Sequence, residues 1–220
     1  MNDDVPEIKS GNIDELVFDD VSHTYGKKRI FHSVSGSVAM GSILIVSGAN
    51  GSGKSTLLRM LAGLIKPATG SITLNHDNVK YSSHDYGYKA RVGLAAPDIQ
   101  LYGNLSGVEN LLFFASLRGK ELEKPDLVNA LESVGLLGRG RDLVSTYSSG
   151  MRQRLKLAVS SVTQAPLWFL DEPTANLDVN GIQIVEALVQ SRQSQCFTVI
   201  ATNEPRELEW SKNRIVLGDV

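Results

Sequence analysis

The segment Gly48-Ala49-Asn50-Gly51-Ser52-Gly53-Lys54-Ser55-Thr56 combines permissive backbone, one cation and two hydroxyls, the ingredients for holding a row of phosphates. Gly48, Gly51 and Gly53 let the chain turn its N–H groups inward, where bulkier residues would block the turn. Asn50 and Ser52 share that turn. Lys54 is placed to reach the β- and γ-phosphates, Ser55 to ligate Mg²⁺, and Thr56 to continue a helix whose positive end favours an anion. With ordinary usage of Gly, Lys and Ser/Thr, this phosphate-loop spacing arises by chance in such a chain about once in a hundred.

A carboxylate pair supplies a second ingredient. Asp171 and Glu172 follow the apolar run Leu167-Trp168-Phe169-Leu170, and two acids at the end of a buried strand are costly unless used. Asp171 has the place of a group that holds Mg²⁺ through its water shell, and Glu172 of one that polarises an attacking water. A third segment, Tyr147-Ser148-Ser149-Gly150-Met151-Arg152-Gln153-Arg154, puts hydroxyls and a glycine at the start of a helical pattern. Such a start directs a hydroxyl and free N–H groups at an anion.

The elements that must position these groups follow from periodicity. Residues 13–18 and 41–47 read as strands, the second running directly into the glycine loop. Leu57, Leu58, Met60, Leu61, Leu64 and Ile65 recur at helical spacing over 54–65, and Pro67 stops the pattern. Residues 71–74 read as a strand, and 75–89 as polar, tyrosine-rich irregular chain in which Tyr81, Tyr86 and Tyr88 are incidental aromatics. Ser106 and Glu109 have capping-box spacing before a helix to about 119, and Pro125 suits the first turn of a helix to 134. Residues 151–164 and 182–189 are helical, while 167–170 and 196–201 read as buried strands.

The fold class expected is α/β: a phosphate-loop core with a mainly parallel sheet, an antiparallel β part near the N-terminus and a helical insertion. One domain over 1–220 accounts for it, with core 13–96 and 166–220 and the insertion at about 97–165. Twenty-two Lys and Arg against 24 Asp and Glu offer no bulk attraction for nucleic acid. The single cysteine, Cys196, reads as a small buried hydrophobe. Residues 1–12 read as a frayed tail without a secretory core, and no run approaches the ~18 apolar residues of a membrane span. The four histidines show no metal-ligand spacing and read as surface residues.

In order and spacing, these motifs resemble the nucleotide-binding subunits of ABC transporters over about residues 13–219. The segment from Tyr147 to Arg154 is similar to the family's signature, and the resemblance implies that Ser148, Ser149, Gly150 and Met151 contact ATP held by an opposite subunit. It implies ATP and Mg²⁺ as ligands, two-fold dimerisation with itself or a homologous subunit, and transmembrane permease partners. Those partners would dock near the insertion and hold the chain at the cytoplasmic face of the membrane. Asn176-Leu177-Asp178 is similar to the D-loop that crosses the dimer seam, and Tyr25 to the aromatic residue that stacks on adenine. The Tyr-Ser-Ser-Gly-Met signature is similar to that of small exporter cassettes, including haem-exporter ATPases of cytochrome c maturation. No Asn-Lys-x-Asp segment is present to read guanine.

Two positions depart from the family pattern. Pro97 stands where a metal-ligating glutamine is expected, leaving Gln100 or Asp98 to substitute. Asn203 stands at the switch histidine, and an amide can hydrogen-bond a γ-phosphate but cannot shuttle a proton near neutral pH. The expectation is a transport ATPase with Lys54, Glu172 and Asn203 as its catalytic group, with turnover slowed by these changes. The alternative is an ATP-gated assembly module with weak or no hydrolysis.

Overall fold

A computed structural model describes residues 14–26 and 28–218, and the side chains of Tyr25, Lys28, Arg29 and His32 fall outside the described set. The expected N-terminal tail, the start of the first strand at Ile13 and the stacking side chain of Tyr25 therefore lie outside the described residues.

The strands form two sheets. β1 (Glu15–Tyr25), β2 (Lys28–Ala39), β4 (Thr69–His76) and β5 (Val79–Ser82) make an antiparallel sheet in the order β2-β1-β4-β5. β3 (Ile43–Gly48), β6 (Val92–Ala95), β7 (Leu167–Asp171), β8 (Phe197–Ala201) and β9 (Arg214–Leu217) make a parallel sheet in the order β6-β7-β8-β3-β9. The helices are α1 (Lys54–Leu61), α2 (Tyr86–Lys89), α3 (Gly107–Ser116), α4 (Lys124–Glu132), α5 (Ser149–Val162), α6 (Val179–Gln193) and α7 (Pro205–Leu208). Helices α3, α4 and α5 fall between β6 and β7 in the chain, within the span expected to be helical.

The parallel strands are apolar on both faces because both are covered. In β7, Leu167 and Phe169 join one core with α1 and the antiparallel sheet, while Trp168 and Leu170 join a second core with α5 and α6. β3 divides likewise, Leu44 and Val46 on the first side and Ile43 and Ile45 on the second. Buried runs without alternation are thus the signature of the central strands. Their carboxyl ends align at one edge, with Asp171 opposite Ala201 and Gly48 opposite Leu217.

Several elements differ from the sequence reading. α1 stops at Leu61, short of the expected end at Ile65, because Gly63 takes φ 71 and closes the helix with Gly63 N–H to Met60 O and Leu64 N–H to Arg59 O, both 2.9 Å. That Schellman arrangement turns Leu64 outward to 59% exposure, so it is no part of the buried stripe. Residues 75–89 are ordered into the β4–β5 hairpin and α2, and Tyr88 is buried with its hydroxyl donating to Leu61 O. Tyr81 lies under the Arg91 guanidinium at 4.1 Å, leaving Tyr86 exposed. His76 is not a plain surface residue, since its two ring nitrogens face Asp14 at 3.0 Å and Asp77 at 3.5 Å.

Other local readings match. The Ser106–Glu109 capping box closes in both directions, at 3.2 Å and 2.7 Å. Pro125 sits in the first turn of α4, and Cys196 is buried, its thiol pushed up by burial. No helix among the described residues is long and apolar enough to cross a membrane.

Candidate phosphate-binding site

β3 delivers the chain to Gly48 at the carboxyl edge of the parallel sheet, and the loop returns as α1. Gly48 has φ 147, and a Cβ there would meet Leu217 O at 2.4 Å. Gly53 has φ 97, and its Cβ would meet Ile30 Cγ2 at 2.6 Å. Gly51 also has positive φ, at 86, and is exposed. Both the backbone conformation and the neighbouring atoms therefore require glycine at the two ends of the turn.

Within the turn, Lys54 is 6% exposed, and its Nζ donates to Gly48 O at 2.8 Å and Ala49 O at 3.1 Å. No salt bridge to Lys54 occurs among the described residues. A buried ammonium on two neutral carbonyls still lacks a counter-charge. Ser52 Oγ is enclosed without a hydrogen-bond partner among the described residues. α1 has no side-chain cap, so its first N–H groups have no side chain to receive them. These three features fit a polyphosphate seated in the turn.

Ser55, in the first turn of α1, donates its hydroxyl to Asp171 Oδ1 at 2.9 Å, bringing the two expected metal ligands together. Burial pushes the Asp171 carboxyl above the usual aspartate range, with the Ser55 hydrogen bond and the Arg59 guanidinium opposing that shift. A hydroxyl and a carboxylate are hard oxygen donors, the set that suits Mg²⁺. Thr56 follows, partly buried.

Glu172 continues from Asp171 in the left-handed region at φ 48, with its N–H donated to Ala201 O at 2.9 Å. From α5, Gln153 Nε2 donates to the carbonyls of Glu172 at 3.2 Å and Pro173 at 3.1 Å. That contact of Gln153 with the carboxylate loop is one the sequence reading missed; only its place in the segment from Tyr147 to Arg154 hinted at it. Asn203, exposed after β8, donates from Nδ2 to Asn50 Oδ1 at 3.0 Å. The residue expected at the switch position is thereby brought onto the glycine turn.

The insertion side is arranged differently. Ser148 caps α5, its Oγ accepting from Met151 N–H at 3.2 Å, and Ser148 and Ser149 are exposed. A Cβ on Gly150 would meet Leu177 Cδ2 at 3.3 Å and Asn176 O at 3.5 Å, so the segments expected to be signature and D-loop adjoin within the chain. Asn176 has φ 62, and Asp178 caps α6 by accepting from Gly181 N–H at 2.7 Å. Gln100 is exposed and lines a cavity with Glu172, Gln153, Ser149 and Asn176. Pro97 O accepts from Lys156 Nζ at 2.9 Å, and Asp98 pairs with Arg59 at 3.2 Å.

Comparison with known proteins agrees with this geometry. Residues 31–175 match the family model described as ABC transporter. The chain is 38% identical over 173 residues to the cytochrome c biogenesis ATP-binding export protein CcmA of Roseobacter denitrificans, covering 79% of this chain and 76% of that one. It is 30% identical over 188 residues to the lantibiotic transport ATP-binding protein SrtF of Streptococcus pyogenes, covering 86% and 79%. Among solved structures, an ABC transporter ATP-binding protein from Pyrococcus furiosus superposes with TM-score 0.81 at 24% identity, covering 92% and 97%. A dimeric bacterial ABC transporter cassette does so with TM-score 0.80 at 20% identity, covering 92% and 94%.

Proposed function

Because this chain belongs to the ABC transporter family, as an ATP-binding ATPase subunit of a transporter, we propose that its nucleotide cycle runs through the residues just described and is transmitted to a membrane permease. The observation that carries the reading is the convergence of Lys54, Ser55, Asp171 and Asn203 on one glycine turn at the carboxyl edge of the sheet.

In this reading the backbone from Gly48 to Thr56 cradles the phosphates, and Lys54 leaves its two carbonyls for phosphate oxygens. Asn50, Gly51, Ser52 and Gly53 line the turn, and Tyr25 is assigned to adenine. Ser55 and Asp171 would hold Mg²⁺, with Gln100 as a further ligand. Bound there, such an ion would supply positive charge to offset that of the phosphates. Glu172 accepts a proton from the attacking water, and Asn203 donates a hydrogen bond toward the γ-phosphate. Ser148, Ser149, Gly150 and Met151 receive the γ-phosphate of a second subunit, with Asn176, Leu177 and Asp178 at the seam. The whole acts as one ATPase domain carrying a helical insertion.

Closure of two such subunits on ATP, and reopening after hydrolysis, would move a permease seated in the cleft lined by Leu64, Leu94, Ile99, Phe114, Arg118 and Val159. Attachment to that permease would keep the chain at the cytoplasmic face. The similarity to CcmA favours an export partner of the cytochrome c biogenesis type. Membrane protein that co-purifies with this chain tests that assignment.

Phosphate release with the partner present tests the mechanism. Turnover clearly above a Glu172→Gln control, abolished by Lys54→Ala, is the expected result. Equality with the Glu172→Gln control would favour the ATP-gated module instead, and undiminished turnover in Lys54→Ala would overturn the site.

A further inference from the structure

Glu207 is a carboxylate that no motif explains, yet it is 1% exposed. It lies on α7, the short helix that begins two residues after Asn203. Its Oε1 accepts from Thr174 N–H at 2.9 Å and from the Thr174 hydroxyl. Thr174 is itself buried and stands two residues after Glu172. On the other side, Thr202 is buried directly before Asn203, its hydroxyl accepting from Glu204 N–H at 2.9 Å. Burial pushes the Glu207 carboxyl up, and the hydroxyls of Thr174 and Thr202 oppose that shift. Oε2 is enclosed and makes no hydrogen bond among the described residues.

An apolar side chain would fill this space without the cost of a desolvated carboxyl. The cost is matched to a mechanical need. The ladder between β7 and β8 ends at the pair Asp171 and Ala201. Beyond that pair, the two loops are joined among the described residues by Glu172 N–H to Ala201 O, 2.9 Å, and by the Glu207–Thr174 contact. Glu172 must be held in a left-handed conformation that an unsupported loop would abandon.

We propose that Glu207 is a positioning residue, a buried strut between the loop after β7 and the loop after β8 that keeps Glu172 and Asn203 in register with one another. It touches neither nucleotide nor metal. It acts through Thr174 and through the short covalent path from α7 back to Asn203. The proposal rests on the assignment of Glu172 and Asn203 made above.

The test compares Glu207→Ala and Glu207→Gln with the unsubstituted full-length protein, in Mg-ATP turnover, in affinity for a fluorescent ATP analogue and in amide hydrogen exchange without nucleotide. Glu207→Ala should lower kcat about tenfold to a hundredfold, as misplacement of reacting groups does, with KM and analogue affinity unchanged within about threefold. Exchange should rise in 172–177 and 202–204 but not in the phosphate loop. Glu207→Gln keeps an oxygen for Thr174 and should recover most of kcat. Native kcat in Glu207→Ala, exchange confined to α7, or a Gln variant as impaired as Ala would each overturn the strut. If Glu207→Ala does not fold, Thr174→Val removes one donor to the same oxygen and should show a smaller change of the same kind; native kcat and exchange there would overturn it equally. Wild-type turnover that survives Lys54→Ala would defeat the underlying assignment, and the exchange pattern decides the strut by itself.

Discussion

The phosphate loop and the signature segment both open a helix, and both are assigned to an anion, but their donors are in different states. α1 begins at Gly53 in the left-handed region with no side chain on its N–H groups, and Lys54 is buried without a counter-charge. α5 begins at an exposed serine whose hydroxyl already receives the Met151 N–H. One start is left without a side-chain acceptor, and the other has one of its N–H groups satisfied by a common cap. An anion at the first replaces weak internal contacts, whereas at the second the Met151 N–H is already engaged by the cap and the remaining donors lie on an exposed surface. That difference teaches which half of the composite site should bind alone and which should contribute only on closure.

The largest effect should come from Lys54→Ala. Removing a buried cation from a phosphate cradle forfeits charge-assisted hydrogen bonds, and affinity for the ATP analogue should fall about a hundredfold or more. Ser148→Ala should leave that affinity unchanged in the isolated chain. It should instead cost about 1 kcal/mol of stability through the lost cap. It should also weaken ATP-dependent dimerisation of a Glu172→Gln background, read by sedimentation. Loss of analogue binding by the Ser148→Ala monomer would erase the distinction between the two helix starts.

How legible this contrast was in the sequence depends on the kind of contact. The phosphate loop was legible because glycine, lysine and serine at fixed spacing each answer a separate steric or charge requirement. Ser106–Glu109 and Ser148 were legible because caps act within one turn. The long strands β1 and β2 were less so, since irregular pairing after Phe18 and positive φ at Asp20 and Ser33 shift the buried face, in β2 from Phe31 to Val34 and Val38. β5 and α2 were missed because Asn75 to Lys89 carries no period, and its order comes from Tyr88 reaching Leu61 O. The contacts of Asn203 with Asn50, Gln153 with Glu172 and Glu207 with Thr174 join residues 153, 19 and 33 positions apart. Only the folded sheet edge brings them together.

A smaller effect should follow pH. Burial raises the Asp171 carboxyl, so the folded chain without nucleotide holds that proton more tightly than the unfolded chain. The stability this lends is fully present below about pH 4, the unfolded aspartate value, and is lost as pH rises through the higher folded value. Asp171→Asn removes the titration while keeping an oxygen for Ser55. Its melting temperature should therefore gain on wild type as pH rises from about 4 through the raised folded value. Mg-ATP should reverse the order, because a bound cation stabilises the ionised carboxylate. A constant difference across pH would mean that Asp171 is not paying a desolvation cost.

The smallest effect should lie at the seam between the two compared regions. Arg59, one turn beyond Ser55 on α1, pairs with Asp98 at 3.2 Å, while Lys156 on α5 holds the adjoining Pro97 carbonyl at 2.9 Å. Asp98 is largely exposed, and exposed ion pairs contribute about 0–1 kcal/mol, most of it screened by salt. Asp98→Asn should therefore lower the melting temperature by less than about 3 °C at low salt, and the difference should vanish near 1 M salt. Analogue affinity should stay within about twofold, because Arg59 remains and the cradle itself is untouched. A change in affinity of tenfold or more would give the seam a part in holding the nucleotide: the charge on Asp98 would then reach the phosphate loop through Arg59, and the two helix starts would be coupled before any second subunit arrives. Lys156→Met separates the cases, since it cuts the tie to α5 while leaving the Arg59–Asp98 pair on α1 intact.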